Sequence, residues 1–165
     1  MIPIEAILPI GVTFGLIASA LIAVWYIWPQ IKSAAPREAL IPLIIPHCFR
    51  YLGLSFLIHG VTTAPLDSRF SIPTAYGDLL TAVLALIAIG ALKLKSRYAI
   101  HFVWAFSLVG IVDFLNAFAR GLTFVAPGDF GATYYIPMAV VPPLMISHFL
   151  IVVYLMKSNS KPAQI

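Results

Sequence analysis

The sequence predicts an all-α integral membrane protein, a bundle of five transmembrane helices that forms one domain over residues 1–165. Hydrophobic residues make up 61% of the chain and charged residues only 10%, and the mean hydropathy is +0.99. Soluble domains carry about 25% charged residues, so this composition is typical of membrane proteins. The single cysteine, Cys48, excludes an intrachain disulfide and a cysteine-rich metal or iron–sulfur site.

Five segments have the length and composition of a transmembrane helix, which needs about 20 mostly apolar residues. They cover about 6–28, 40–61, 76–92, 99–119 and 135–156. The residues before the first segment, Met1 to Glu5, lack the basic residues that open a signal peptide. We therefore expect the first segment to be a true span rather than a cleaved leader.

The distribution of basic residues predicts the orientation of the bundle. Seven of the ten lysines and arginines follow the first, third and fifth segments, whereas two lie in the opposite loops. The seven are Lys32, Arg37, Lys93, Lys95, Arg97, Lys157 and Lys161, and the two are Arg69 and Arg120. Positive residues stay on the cytoplasmic side, which predicts an outside N-terminus and a cytoplasmic C-terminus, in a bacterial inner membrane. The net charge of +4 is explained in this way, so no nucleic-acid partner is expected.

Arg50 lies near the middle of the second segment, where a charged side chain costs about 2.5–3.5 kcal/mol and needs a partner. At about 1.5 Å of rise per residue, His47 and His148 are expected at equal depth in the inner half of the bilayer. Asp113 in the fourth segment is predicted to be the only acid at a depth that could neutralise Arg50. Asp78, at the start of the predicted third segment, is expected near the outer interface.

Prolines accompany both histidines, since Pro46 precedes His47 and Pro142 and Pro143 precede His148. A proline inside a helix removes one hydrogen bond and bends the helix, so two matched kinks indicate a polar cavity between segments two, four and five. The predicted site consists of catalytic His47 and His148 and of ligand-binding Arg50, Asp113, Asn116 and Tyr51, without a metal.

Several functions are compatible with such a site, and the sequence leaves open whether the protein is an enzyme. The first is binding or conversion of a lipophilic small molecule, with the histidines as acid–base groups. The alternatives are a non-catalytic subunit of a larger respiratory or photosynthetic complex, a b-type haem carrier with His47 and His148 as axial ligands, and a proton-coupled carrier that uses Arg50 and Asp113.

Small residues recur every fourth position in the first segment, at Gly11, Gly15 and Ser19. Small residues at this spacing let helix backbones approach closely in lipid. The ridge is expected to pack against another span of the chain or to form a homo- or hetero-oligomer.

Overall fold

Five long helices make up most of the computed structural model, which describes residues 3–159. Helix α1 spans Ile4–Ile22 and continues through a π-helical turn, Ala23–Ile27, into Trp28–Ile31. Helix α2 has an α-helical part, Pro36–Ile44, and a 3₁₀ part, Ile45–Leu57. Helices α3 and α4 span Ser68–Lys93 and Ala99–Phe124. After a 3₁₀ segment, Pro127–Tyr134, that is interrupted at the non-helical Gly131, helix α5 comprises a π-helical turn, Ile136–Val140, and Val141–Asn159.

All five helices are long and apolar enough to cross a membrane, which confirms the all-helical fold and the number of candidate spans. Large apolar side chains point outwards, as in Phe14 (71% exposed), Leu122 (75%) and Phe149 (65%). Soluble monomers rarely expose continuous apolar surface on this scale. Met1, Ile2 and Lys161, which the predictions above include, lie outside the described residues.

Helix α3 is the centre of the bundle, because it packs against α2 on one side and α4 on the other, while α1 packs against α5. Turns 32–35 and 94–98 lie at one end, called here the basic end, and loops 58–67 and 125–135 lie at the other, the loop end. The larger apolar core, which includes Leu40, Ile44 and Ile151, is nearer the basic end. Phe56, Phe70 and Phe130 form a second core nearer the loop end. The buried polar side chains lie between these two cores.

Helix α3 begins at Ser68, eight residues before the predicted start at position 76. Asp67 caps it by accepting a hydrogen bond from the amide of Arg69 at 2.8 Å. The Arg69 guanidinium and this amide lower the pKa of Asp67 from 3.8 to about 2. Because the shift is downward, the charged cap is present above the ordinary pKa and is lost only as the pH falls through about 2.

The small-residue ridge of α1 packs against α5 within the chain. A Cβ atom at Gly15 would lie 2.9 Å from Cγ of Pro142 and 3.0 Å from the carbonyl oxygen of Met138, and one at Gly11 would overlap the Met138 side chain. Pro142 has no N–H to donate to the Met138 carbonyl four residues earlier. The glycine therefore brings the backbone of α1 against a carbonyl that the proline leaves free.

Candidate functional site

The 3₁₀ part of α2 sets the direction of the buried polar side chains. A 3₁₀ helix has three residues per turn, so residues three apart lie directly above one another. The buried residues of this part are His47, Arg50, Gly53 and Phe56, which follow this period. At 13 residues it is much longer than most 3₁₀ runs, which seldom exceed three or four residues. His47 and Arg50 thus project in one row towards α3, α4 and α5.

Pro46 leaves a backbone acceptor near the start of this 3₁₀ part, and Ser147 donates to it. In 3₁₀ geometry the N–H of residue 46 would bond the carbonyl of Leu43, but a proline has no N–H. The buried Oγ of Ser147 donates to the Leu43 carbonyl oxygen at 2.7 Å instead. A side chain of α5 therefore compensates for the missing backbone donor of α2.

Arg50 forms ion pairs with two carboxylates. Its Nε donates to Oδ1 of Asp78 at 2.7 Å, and its Nη2 donates to Oδ2 of Asp113 at 2.5 Å. Nη1 donates to the carbonyl oxygen of Gly110 at 3.3 Å, and Cζ lies 3.7 Å from the ring centroid of Phe114. The Arg50 side chain is only 1% exposed. The guanidinium thus links α2, α3 and α4.

The role of Asp78 corrects the prediction that Asp113 is the only counter-ion of Arg50. Asp78 was expected near the outer interface because the third span was expected to begin at about 76. Since α3 begins at Ser68, Asp78 lies ten residues, or about 15 Å, from the start of the helix. It is 8% exposed and accepts from Nε of Arg50, whereas Asp113 accepts from Nη2.

Three glycines allow the helices to approach closely enough for these contacts. At each position a Cβ atom would overlap a polar side chain of a neighbouring helix. The facing pairs are Gly53 with Asp78, Gly77 with Asp113, and Gly110 with His148. At these three positions the polar side chains pack directly against glycine backbone.

His47 and His148 lie side by side, with ring centroids 4.1 Å apart and exposed fractions of 0% and 1%. Phe106 packs against both rings at 5.0 Å between centroids. The Oγ of Ser107 is 3.2 Å from Nδ1 of His148. Both ring nitrogens of His47 and Nε2 of His148 have no hydrogen-bond partner among residues 3–159. Buried polar atoms are usually paired, so three such atoms in one contact are unusual.

Gly110 and Phe114 connect the histidine pair to the ion pairs. The Gly110 carbonyl accepts from Arg50, and its Cα faces the His148 ring. Phe114, which lies under the guanidinium, has its centroid 5.8 Å from that of His148. The histidine pair and the charged groups therefore form one continuous cluster, which we call the polar cluster: His47, Arg50, Asp78, Ser107, Asp113 and His148.

Two of the predicted ligand-binding residues lie elsewhere. Asn116 accepts a hydrogen bond from Nε of Arg120 at 2.8 Å, and Arg120 also donates to the Arg69 carbonyl oxygen at 2.7 Å. That carbonyl is free because Pro73, four residues later, has no N–H. Tyr51 is 46% exposed and packs against Phe49. Within residues 3–159, neither Asn116 nor Tyr51 forms a hydrogen bond or a ring contact with the polar cluster.

Ser107, Asp78 and the three glycines were missed, although the sequence contains a signal for them. Ser107, Gly110 and Asp113 are spaced three apart, and Thr74, Asp78 and Thr81 follow with spacings of four and three. Such spacings put residues on one face of a helix. In apolar helices, a polar or glycine-bearing face indicates a buried contact.

The geometry limits the cofactors that these residues could hold. Among residues 3–159, no three histidine, cysteine, aspartate or glutamate side chains are placed to hold a metal ion together. The haem-carrier alternative requires a porphyrin between the imidazoles of His47 and His148. With their rings in direct contact at 4.1 Å between centroids, the observed arrangement has no room for one.

Comparison with known proteins identifies a family but no activity. The model of a family described as "Domain of unknown function (DUF8737)" matches residues 7–156, so the chain belongs to this family. No curated protein matches the chain. No solved structure matches it either.

Proposed function

We propose that this member of the family is an integral membrane protein that binds and releases protons at the polar cluster, as the coupling step of proton-linked transport. The observation that carries the proposal is a buried arginine shared by two carboxylates, in contact with a histidine pair that has three unpartnered ring nitrogens. Ionisable residues inside membrane helices characteristically mark ion pathways and proton relays.

Charge balance is the first support for proton binding. One guanidinium and two carboxylates carry a net charge of −1 when all three are ionised, and burial of uncompensated charge is costly. Binding of one proton to Asp78 or Asp113 makes the group neutral without moving a helix. A second proton would leave the Arg50 charge without an anion, so the cluster is suited to exchange one proton.

The histidine pair is the second support. Neutral imidazole accepts a proton at one ring nitrogen and donates at the other, and histidine ordinarily titrates near neutral pH. His47 and His148 touch each other and adjoin the Arg50 contacts through Gly110. One additional proton on this pair could pass between the two rings, whereas two additional protons would place two positive charges side by side.

The apolar exterior and the length of the five helices support membrane insertion. The lysine and arginine bias supports an orientation with the basic end in the cytoplasm and the N-terminus outside. On this orientation the histidine pair lies nearer the cytoplasm than Arg50. An inner-membrane location in a bacterium remains our prediction.

The earlier alternatives stay predictions with weaker support. A lipophilic ligand within the polar cluster would require helices α2, α3 and α4 to separate, because the glycine backbone of one helix already contacts a polar side chain of the next. A subunit role in a larger complex has no contact that favours it. Native purification with any bound partners tests that alternative.

Proton flux into liposomes tests the proposal. The purified protein is reconstituted with an internal pH dye, and a potassium-diffusion potential drives proton entry. Asp78→Asn and Asp113→Asn are expected to lower the flux at least tenfold, because an amide does not exchange a proton. Asp129→Asn, in the loop end and outside the polar cluster, is the matched control and should retain it. Equal flux through all four proteins, or none above empty liposomes, would overturn the proposal.

A further inference from the structure

A second site lies along the seam between α1 and α5, away from the polar cluster. At the basic end, a pocket of about 200 Å³ is lined by residues that include Trp28, Lys32, Pro36, Tyr154 and Lys157. Two of its lining residues are lysines and none is acidic. The pocket therefore presents positive charge at the level where helices emerge from the apolar region.

The walls of this pocket are held by specific contacts. The Tyr154 hydroxyl donates to the Ala34 carbonyl oxygen at 2.8 Å, which ties α5 to the turn between α1 and α2. The Lys157 ammonium lies 4.7 Å from the ring centroid of Trp28, a cation–π distance. Lysine and tryptophan in this combination are typical of a membrane interface. Basic pockets between helices at the cytoplasmic face bind anionic lipid headgroups.

An apolar groove lies further along α1 and α5, towards the middle of the bundle. It has a volume of about 100 Å³ and is lined mainly by apolar side chains, among them Ile22, Ile27, Pro143, Ile146 and Leu150. Leu150 and Pro143 precede Lys157 by seven and fourteen residues, or about 10 and 21 Å along the helix. The half-thickness of a hydrocarbon core is about 15 Å. The groove therefore runs at the depth of an acyl chain.

We propose that this seam binds one anionic phospholipid, with its phosphate between Lys32 and Lys157 and one acyl chain in the groove between α1 and α5. Charge complementarity selects the headgroup, and the groove selects a lipid over a soluble phosphate. The inference assumes the membrane insertion proposed above and is independent of proton exchange at the polar cluster.

Native mass spectrometry tests this site. The protein in a neutral detergent is offered equal amounts of phosphatidylglycerol and phosphatidylcholine with the same chains. Wild-type protein is expected to retain one phosphatidylglycerol in preference to phosphatidylcholine. The double variant Lys32→Gln, Lys157→Gln should lose about 30-fold in apparent affinity for phosphatidylglycerol. Lys93→Gln, Lys95→Gln removes the same charge from the other turn of the basic end and should bind like wild type.

The groove is tested separately with Ser19→Phe, which places a large side chain in the groove that Ser19 lines. The control is Ala18→Phe, at an exposed position outside the groove. Only Ser19→Phe should weaken phosphatidylglycerol binding.

Equal retention of the two lipids by wild type, or equal effects of the two lysine pairs, would overturn the proposal. Displacement by soluble glycerol 3-phosphate at the concentration at which the lipid itself competes would also overturn it. No outcome depends on proton flux, so failure here is distinct from failure of the proposed function.

Discussion

Arg50 is the residue on which the contacts of three helices converge. It pairs with Asp78 of α3 and Asp113 of α4 and is almost completely buried. In a buried ion pair, removal of one partner is far more costly than removal of the whole pair, because the remaining charge is left without compensation. This asymmetry gives a way to separate the contribution of Arg50 to stability from its contribution to proton exchange.

Substitution of Arg50 by methionine is therefore expected to destabilise the protein by about 3–5 kcal/mol. The triple variant Arg50→Met, Asp78→Asn, Asp113→Asn should unfold at a higher temperature than Arg50→Met alone, because no buried carboxylate is left unpaired. Thermal unfolding in detergent measures both. Additive losses from the three positions would contradict the pairing, since residues of one network are expected to be non-additive.

Gly110 is the second residue on which the cluster depends. A Cβ atom there would overlap the His148 ring and approach the Thr81 methyl group. Gly110→Ala is expected to cost about 1–3 kcal/mol, the usual range for overpacking. Gly90→Ala is the control, because nothing lies within 4 Å of its Cβ position and alanine favours a helix. If thermal unfolding shows the same change for both variants, the close approach of Gly110 to His148 is incorrect.

At the scale of elements, the 3₁₀ part of α2 determines which side chains reach the cluster. In an α-helix His47, Arg50, Gly53 and Phe56 would drift around the axis, whereas three residues per turn keeps them in one row. The sequence indicated a disturbance at Pro46 but not 13 residues of 3₁₀ helix. Local sequence does not distinguish an α-helix from a 3₁₀ helix here, because the choice between these geometries depends on contacts with α3, α4 and α5.

The hydrogen bond from Ser147 to the Leu43 carbonyl, next to Pro46, gives a double-mutant prediction. Ser147→Ala alone should cost about 1–3 kcal/mol, because the buried Leu43 carbonyl loses its donor. In a Pro46→Ala background the same substitution should cost much less, since residue 46 then has an N–H for that carbonyl. Chemical unfolding of the four proteins of the cycle measures the coupling. An equal cost of Ser147→Ala in both backgrounds would contradict this account.

Helix α3 shows how an element boundary limits site prediction. The apolar pattern indicated a start near 76, but the cap at Asp67 places it at Ser68. This difference moved Asp78 from an expected interface position to the middle of the bundle. The aspartate before Ser68 is a recognised helix-start signal, and a helix that begins there brings Asp78 to the depth of Arg50.

At the scale of the whole molecule, the five long apolar helices were predictable because the physics of the bilayer leaves few options. A spanning segment must satisfy its backbone internally, so a long apolar run indicates a helix. Tertiary contacts were less predictable. The rise per residue along each helix predicted the equal depth of His47 and His148, but it did not predict the contacts of Ser107 or of the three glycines. Those contacts depend on the rotation of each helix, and hydropathy alone carries little information about rotation.

The orientation is tested by cysteine labelling in a Cys48→Ser background. Ser33→Cys lies in the turn at the basic end and Ala64→Cys in the loop end, and both positions are exposed and uncharged. A membrane-impermeant maleimide should label Ala64→Cys in intact cells and Ser33→Cys only after lysis. The reverse pattern would invert the proposed topology, and labelling of both in intact cells would exclude the membrane-spanning arrangement.

Infrared spectroscopy of the reconstituted protein tests the central claim, proton binding at Asp78 or Asp113, most directly. As the pH is varied, wild-type protein should show a carboxylic-acid C=O band that shifts in D₂O and disappears when the proton leaves. Asp78→Asn or Asp113→Asn should remove or shift that band, whereas Asp129→Asn should leave it unchanged. If wild type and both cluster variants give the same spectra at every pH, the carboxylates are permanently ionised and the cluster is structural.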